Sequence, residues 1–229
     1  MSEAAEEWNH NSHYHRVIFE AIPAGCERAL DVGCGTGQLT RELRRVVPRV
    51  AGVDRDERCI EAARSNAARL GAGAGGIEYR CGDVLDLPLA PGGFDLVTAV
   101  ASLHHMDTAA GLTRMRELLR PGGVLVVIGL ARDGLSRDLA VEVPAIVYHR
   151  IERRRHPRLS GTDASGRGAW GRGASGEGAS SGAAYRAPVV WPPAETYQQI
   201  RRIAGSLLPG MRYRRHLLWR YSICWVKPG

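Results

Sequence analysis

Lysine is almost missing from this chain: of 31 basic residues, Lys227 is the single lysine and 30 are arginine. Together with the abundance of alanine and glycine, that imbalance reads as the codon bias of a GC-rich genome. It weakens any inference from the net charge of +7 to a nucleic-acid or anionic-membrane partner. The charge is also uneven. From Arg150 onward 15 basic residues face 4 acidic ones, a balance of +11; before it 16 face 20, a balance of −4. No run of about 18 apolar residues is present, so no membrane span is expected. The opening MSEAAEEWNHNSHYH is acidic and polar and has no apolar core of a secretory signal. The five cysteines (Cys26, Cys34, Cys59, Cys81, Cys224) are odd in number and form no C-x-x-C pair, so they read as reduced residues of a cytoplasmic protein rather than a disulfide framework. With 229 residues and 44% hydrophobic content, the chain suffices for a single well-cored domain over residues 1–229.

The informative segment is ALDVGCGTG, Ala29 to Gly37. A short apolar run carries Asp31 near its end and breaks into Gly33, Gly35 and Gly37 before a helix-like stretch from Gln38. A strand end, a glycine loop and a helix N-terminus together invite a nucleotide-like ligand, because glycine admits positive φ and close backbone approach. Dinucleotide folds want G-x-G-x-x-G. Here the third glycine comes one residue early, and an acid stands two residues before the first. A carboxylate beside the loop suits a cationic ligand better than a diphosphate; an ordinary glycine-rich turn is the bland alternative. S-adenosylmethionine (SAM), with an ammonium and a sulfonium, is such a cation. At these residues the chain resembles the class I SAM-dependent methyltransferases, whose signature is D/E-x-G-x-G-x-G.

The resemblance runs from about Arg28 to Leu130. Arg49–Val53 reads as a second strand ending in Asp54, where an acid can accept both ribose hydroxyls. An N-cap for the helix starting near Asp56 is the alternative for that acid. Ile77–Cys81 reads as a third strand, Phe94–Val100 as a fourth, and Leu118–Leu130 as a turn and fifth strand, with a Leu-Arg-Pro-Gly-Gly turn typical of the family. In similar enzymes an acid placed as Asp83 bonds the adenine amine, and a residue placed as Val84 packs on the ring. The resemblance further implies that Cys34, Arg55 and Ala99 contact the cofactor, and that an N-terminal lid helix within residues 1–25 brings Tyr14 near the methionine end.

Helices are expected at His13–Ile22, Gln38–Val46, Asp56–Leu70, Thr108–Leu119, Ser136–Arg155 and Ala194–Leu208, alternating with the strands. Met211–Leu217 and Trp219–Val226 read as a tight hairpin. The fold class is therefore α/β: a Rossmann-like doubly wound sheet, mostly parallel with an antiparallel last strand, in the order 3-2-1-4-5-7-6. Residues 160–187 are different. They are rich in Gly, Ala and Ser, include the near-repeats GRGAW, GRGAS and GEGAS, have little to bury, and read as a disordered insertion. An RGG-like nucleic-acid segment would need more closely spaced arginines and aromatics.

Methyl transfer from a sulfonium needs alignment more than activation. An oxygen nucleophile wants a base, and the loop after the fourth strand offers His104 and His105. In the family the first of these often only packs beside the cofactor. His10, His13 and His15 fit no standard metal spacing, so no metal is expected. The N/D-P-P-Y/F motif of amino-methylating DNA enzymes and the Pro-Cys pair of cytosine C5 enzymes are missing, and no RNA-binding module is apparent. The resemblance thus implies transfer of the SAM methyl to an O or N atom of a small-molecule acceptor, leaving S-adenosylhomocysteine, in a role that fits specialised metabolism. Two rivals stay open: an RNA or protein methyltransferase recruited by the Arg-rich C-terminal part, and a SAM-binding cyclase or regulator that transfers nothing. Neither acceptor nor oligomeric state is legible.

Overall fold

The computed structural model describes residues 14–132, 193–216 and 220–229. The expected helix over Ser136–Arg155 and the Gly/Ala/Ser-rich insertion at 160–187 lie outside the described residues, as do residues 1–13 of the expected lid. The described elements are α1 (His15–Phe19), β1 (Arg28–Val32), α2 (Gln38–Arg44), β2 (Arg49–Asp54), α3 (Glu57–Ala68), β3 (Ile77–Cys81), β4 (Phe94–Val100), α4 (Thr108–Leu118), β5 (Leu119–Leu130), α5 (Tyr197–Leu207), β6 (Arg212–His216) and β7 (Arg220–Val226). The seven strands form one sheet in the order β3-β2-β1-β4-β5-β7-β6. β1 to β5 run parallel, and β7 pairs antiparallel with both β5 and β6. This is the order expected from sequence.

Strands covered on both faces need continuous apolar runs rather than alternation, and β4 is buried from Phe94 to Ala99. Its odd and even side chains serve two cores. Val97 and Ala99 join Leu30, Val32, Leu112 and Ile200 against α4 and α5, while Leu96 joins Ala29, Val50, Leu43 and Ile18 against α1 and α2. Helix starts follow side-chain caps. Asp56 accepts from the Arg58 amide at 2.9 Å, Asp107 from Ala110 at 2.7 Å, and Thr196 with Gln199 forms a reciprocal capping box. That box is why α5 begins at Tyr197 rather than at Ala194. α1 is likewise shorter than expected: beyond Phe19 the chain leaves the helix in a tighter turn, Ala21 N bonding Ile18 O, and reaches Pro23. β6, at the sheet edge, exposes Arg212, Arg214 and Arg215. A charged edge strand of this kind discourages pairing with other chains and needs no anionic partner to explain it.

Asp95 anchors the entry to the sheet. Its carboxylate, 4% exposed, accepts from the amides of Glu27 and Arg28 at 2.8 and 2.7 Å and pairs with Arg120. Asp95→Ala strands both amides and is expected to cost about 2–4 kcal/mol of stability. Chemical denaturation measures this, and a loss below about 0.5 kcal/mol would contradict the anchoring role.

Candidate active site

A cavity of about 410 Å³ opens at the carboxyl ends of β1, β2 and β4, where doubly wound sheets place ligands. Volumes of this order hold a small ligand. Its floor is the loop after β1. Gly33, Gly35 and Gly37 take φ of +71°, +52° and +77°. A Cβ on Gly33 would run into Ser102 and one on Gly37 into Tyr79, whereas one on Gly35 meets nothing within 4 Å. The loop is thus packed from below at its two ends and open in the middle.

Of the residues singled out from sequence, Asp31, Gly33, Cys34, Gly35, Asp54, Arg55, Asp83, Val84, His104 and His105 all line this cavity. Three do not. Gly37 caps α2 from behind the loop. Ala99 is fully buried in the α4/α5-side core, so the cavity touches Val100 and Ala101 instead. Tyr14 is buried, with its ring 5.2 Å from that of His216, and it is the neighbouring His15 that reaches the cavity.

Asp54 holds the loop in place: one carboxylate oxygen accepts from the Gly35 amide at 2.9 Å and the other from the Asp56 amide at 3.0 Å. The helix N-cap is Asp56, not Asp54. Asp31 is buried under the loop, accepting from Thr40 Oγ1 at 2.7 Å and lying 3.4 Å from Thr98 Oγ1. Burial pushes its carboxyl up to about 6 against the opposing pull of Thr40, His15 and Thr98. Cys34 is also buried, and burial next to Asp31 and Asp54 drives its thiol far above the ordinary range, so it is a small, unreactive filler. Asp83 accepts from the Leu85 amide at 2.9 Å, and Arg114 of α4 fixes the same turn by donating to the carbonyls of Val84 and Leu87.

The opposite wall follows β4. Ala101, at φ +52°, is the sole non-glycine with positive φ among the described residues, a strained position of the kind that collects at functional sites. Ser102 ties this turn to β1 through Val32 O at 2.7 Å. Next come His104 and His105, rings 4.1 Å apart, each with a buried Nδ1 that has no hydrogen-bond partner. Burial, then the neighbouring His105 and Arg220, push His104 down to about 4. His105 is lowered by burial and Arg55, with Asp54 opposing. Sequence reasoning missed the site roles of His15, Ala101, Arg114 and Arg220. The pairing of His15 Nδ1 with Glu42 at 2.7 Å has no local sequence signal.

Four carboxylates (Asp31, Asp54, Asp56 and Asp83), an open stretch of glycine loop and the two histidines after β4 line one cavity, a set that fits a cationic nucleoside. The comparisons agree. Residues 30–127 match the model of a methyltransferase domain family. The chain is 31% identical over 225 residues to an uncharacterized methyltransferase of Mycobacterium bovis, covering 96% of this chain and 98% of that one. It belongs to the class I SAM-dependent methyltransferases. A ubiquinone biosynthesis O-methyltransferase of Cereibacter sphaeroides is 36% identical over 129 residues, 56% of this chain and 51% of that protein. A SAM-dependent methyltransferase structure from Aquifex aeolicus superposes with a TM-score of 0.57 over 94% of this chain and 92% of that one, at 16% identity, and shows the shared fold. The chain is accordingly an enzyme whose cofactor is SAM. No group of metal-ligating side chains occurs among the described residues, and no described helix is long and apolar enough to cross a membrane.

Half-buried His104 makes a stability prediction. An unfolded His104 protonates near 6.5 but the folded one only near 4, so the unfolded chain binds more protons between those values. Stability contributed by neutral His104 is therefore complete above pH 6.5 and is lost as pH falls toward 4. The stability difference between wild type and His104→Asn should shift in the variant's favour over that window, as read from urea midpoints. A pH-independent difference would contradict the assignment.

Proposed function

We propose that this methyltransferase moves the methyl of SAM to an oxygen or nitrogen of a small-molecule acceptor. The observation that carries the reading is that the glycine loop, the acids Asp31, Asp54 and Asp83 and the histidines His104 and His105 line one cavity. The relative named as a ubiquinone biosynthesis O-methyltransferase supports an oxygen as the acceptor atom. When bound, the cofactor supplies a methyl on a sulfonium, which departs as a neutral thioether. In this reading Asp54 accepts from the ribose hydroxyls through the lone pairs its two amide bonds leave, Asp83 and Val84 receive the adenine, and Asp31 attracts the ammonium. The carboxylates would raise the local concentration of a cation. His104 and His105 are neutral near pH 7. His105, less deeply buried and lining the cavity, is the stronger base for an acceptor hydroxyl proton.

The decisive experiment is incubation with labelled SAM and a small-molecule extract of the producing cell, the product being identified by mass. Label in a small molecule is expected; label confined to RNA or protein would overturn the acceptor class, and bound cofactor with no S-adenosylhomocysteine formed would favour a non-methylating role. For the cofactor site, Asp54→Ala should weaken SAM binding by about 2–4 kcal/mol, measured by titration calorimetry; unchanged affinity would move the ribose elsewhere. Because Asp31 takes up a proton in the free protein as pH falls through about 6, SAM affinity should drop between pH 6.5 and 5, and a flat profile would exclude Asp31 as a cofactor contact.

A further inference from the structure

The charges that line the cavity are sorted by strand order. Asp31 belongs to β1, Asp54 to β2, Asp56 caps α3 just after β2, and Asp83 follows β3. All four carboxylates therefore stand on the β3-β2-β1 side of the sheet. Arg220 lines the same cavity from the other side. It opens β7, and because β7 runs antiparallel to β5 it comes level with Leu130, where β5 ends. Only a reversed strand brings its first residue to the end of the sheet where the parallel strands finish. β7 stands four places from β2, or roughly 19 Å at about 4.8 Å per strand.

The turn with His104 follows β4, two places from β7, and Arg220 helps to hold that imidazole down. Tyr14 and Tyr197 are further electrostatic neighbours of Arg220. Val100, Met106 and Leu130 give this end of the cavity apolar walls. Burial lowers Arg220 from the ordinary arginine value, yet a guanidinium starts so high that it keeps its charge. A cation is costly to hold where water is displaced, and an anionic ligand offsets that cost. The other basic side chains of the cavity are placed differently. Arg55 is exposed and stands between Asp54 and Asp56, and His15 is engaged with Glu42 at 2.7 Å.

A cationic donor suits the acidic side, which leaves the basic side to the acceptor. We propose that Arg220 is a specificity residue that holds the carboxylate of a small organic acid, whose nucleophilic oxygen or nitrogen faces the His104–His105 turn and the sulfonium. This inference rests on methyl transfer to a small molecule and names the class of that molecule. One planar fork among tyrosines and aliphatic side chains matches a single carboxylate better than a polyphosphate. The carboxylate is unchanged by the reaction. The acceptor's lone pair forms the bond to the methyl carbon, the C–S pair returns to sulfur to leave a thioether, and the acceptor's proton passes to His105.

The test uses the full chain, labelled SAM and a small-molecule extract of the producing cell divided on an anion exchanger near pH 8. The acceptor is expected in the retained fraction, and acceptance should survive phosphatase treatment of that fraction. Arg220→Gln should raise the amount of the fraction needed for half-maximal rate about tenfold or more. Its kcat should change less, and its affinity for S-adenosylhomocysteine should stay within about twofold. Arg220→Lys keeps the charge without the fork and should fall between the two. An acceptor in the unretained fraction or acceptance destroyed by phosphatase would overturn the proposal. So would an unchanged half-maximal amount in Arg220→Gln, or a loss of S-adenosylhomocysteine affinity in both variants as large as their loss of acceptor. If no small molecule in any fraction is labelled while S-adenosylhomocysteine still binds, the acceptor reading itself fails and the inference falls with it.

Discussion

Two backbone amides converge on the carboxylate of Asp54, one from the glycine loop after β1 and one from the approach to α3. The site depends on this interaction. Three residues of positive φ in five are costly to order, and a loop of that composition has few side chains of its own to hold it. A charged acceptor at the end of the adjacent strand supplies the restraint, together with the bonds from Gly33 and Cys34 amides to Val53 O. The same carboxylate faces the cavity, so the group that shapes the floor is also one that a ribose can use.

Burial then sets the electrostatics of the two walls in opposite senses. It raises Asp31 to about 6 and lowers His104 to about 4, in each case by disfavouring the charged form. The cavity near neutral pH thus holds a carboxylate that a cation would stabilise and an imidazole that is uncharged. That division suits a cationic donor on the loop side and a proton-bearing acceptor on the β4 side.

The sheet order was legible because the inner strands β1, β2, β4 and β5 are short apolar runs bounded by glycine, proline or an acid, and because the last hairpin has no room for a crossover helix. The loop, Asp54, Asp83 and the two histidines were legible because they lie at strand ends, where topology alone puts them in one crevice. Ala99 was not, since only the pleat decides whether a β4 residue faces the core or the mouth, and the chain turns into the cavity one residue later. Tyr14 and His15 show the same limit on a helix: adjacent residues point about 100° apart, and the register that seats Ile18 in the core sends His15 rather than Tyr14 to the cavity. Arg114 and Glu42 act across long separations in sequence, through bonds to residues about 30 and 27 positions away, and no local pattern announces them.

The most direct measurement is a crystal structure of the chain grown with S-adenosylhomocysteine. The account predicts adenosyl density over Gly33 to Gly35, with the ribose hydroxyls on Asp54 and the adenine against Val84. Density elsewhere on the protein, or a cavity that takes a nicotinamide dinucleotide in preference, would contradict it.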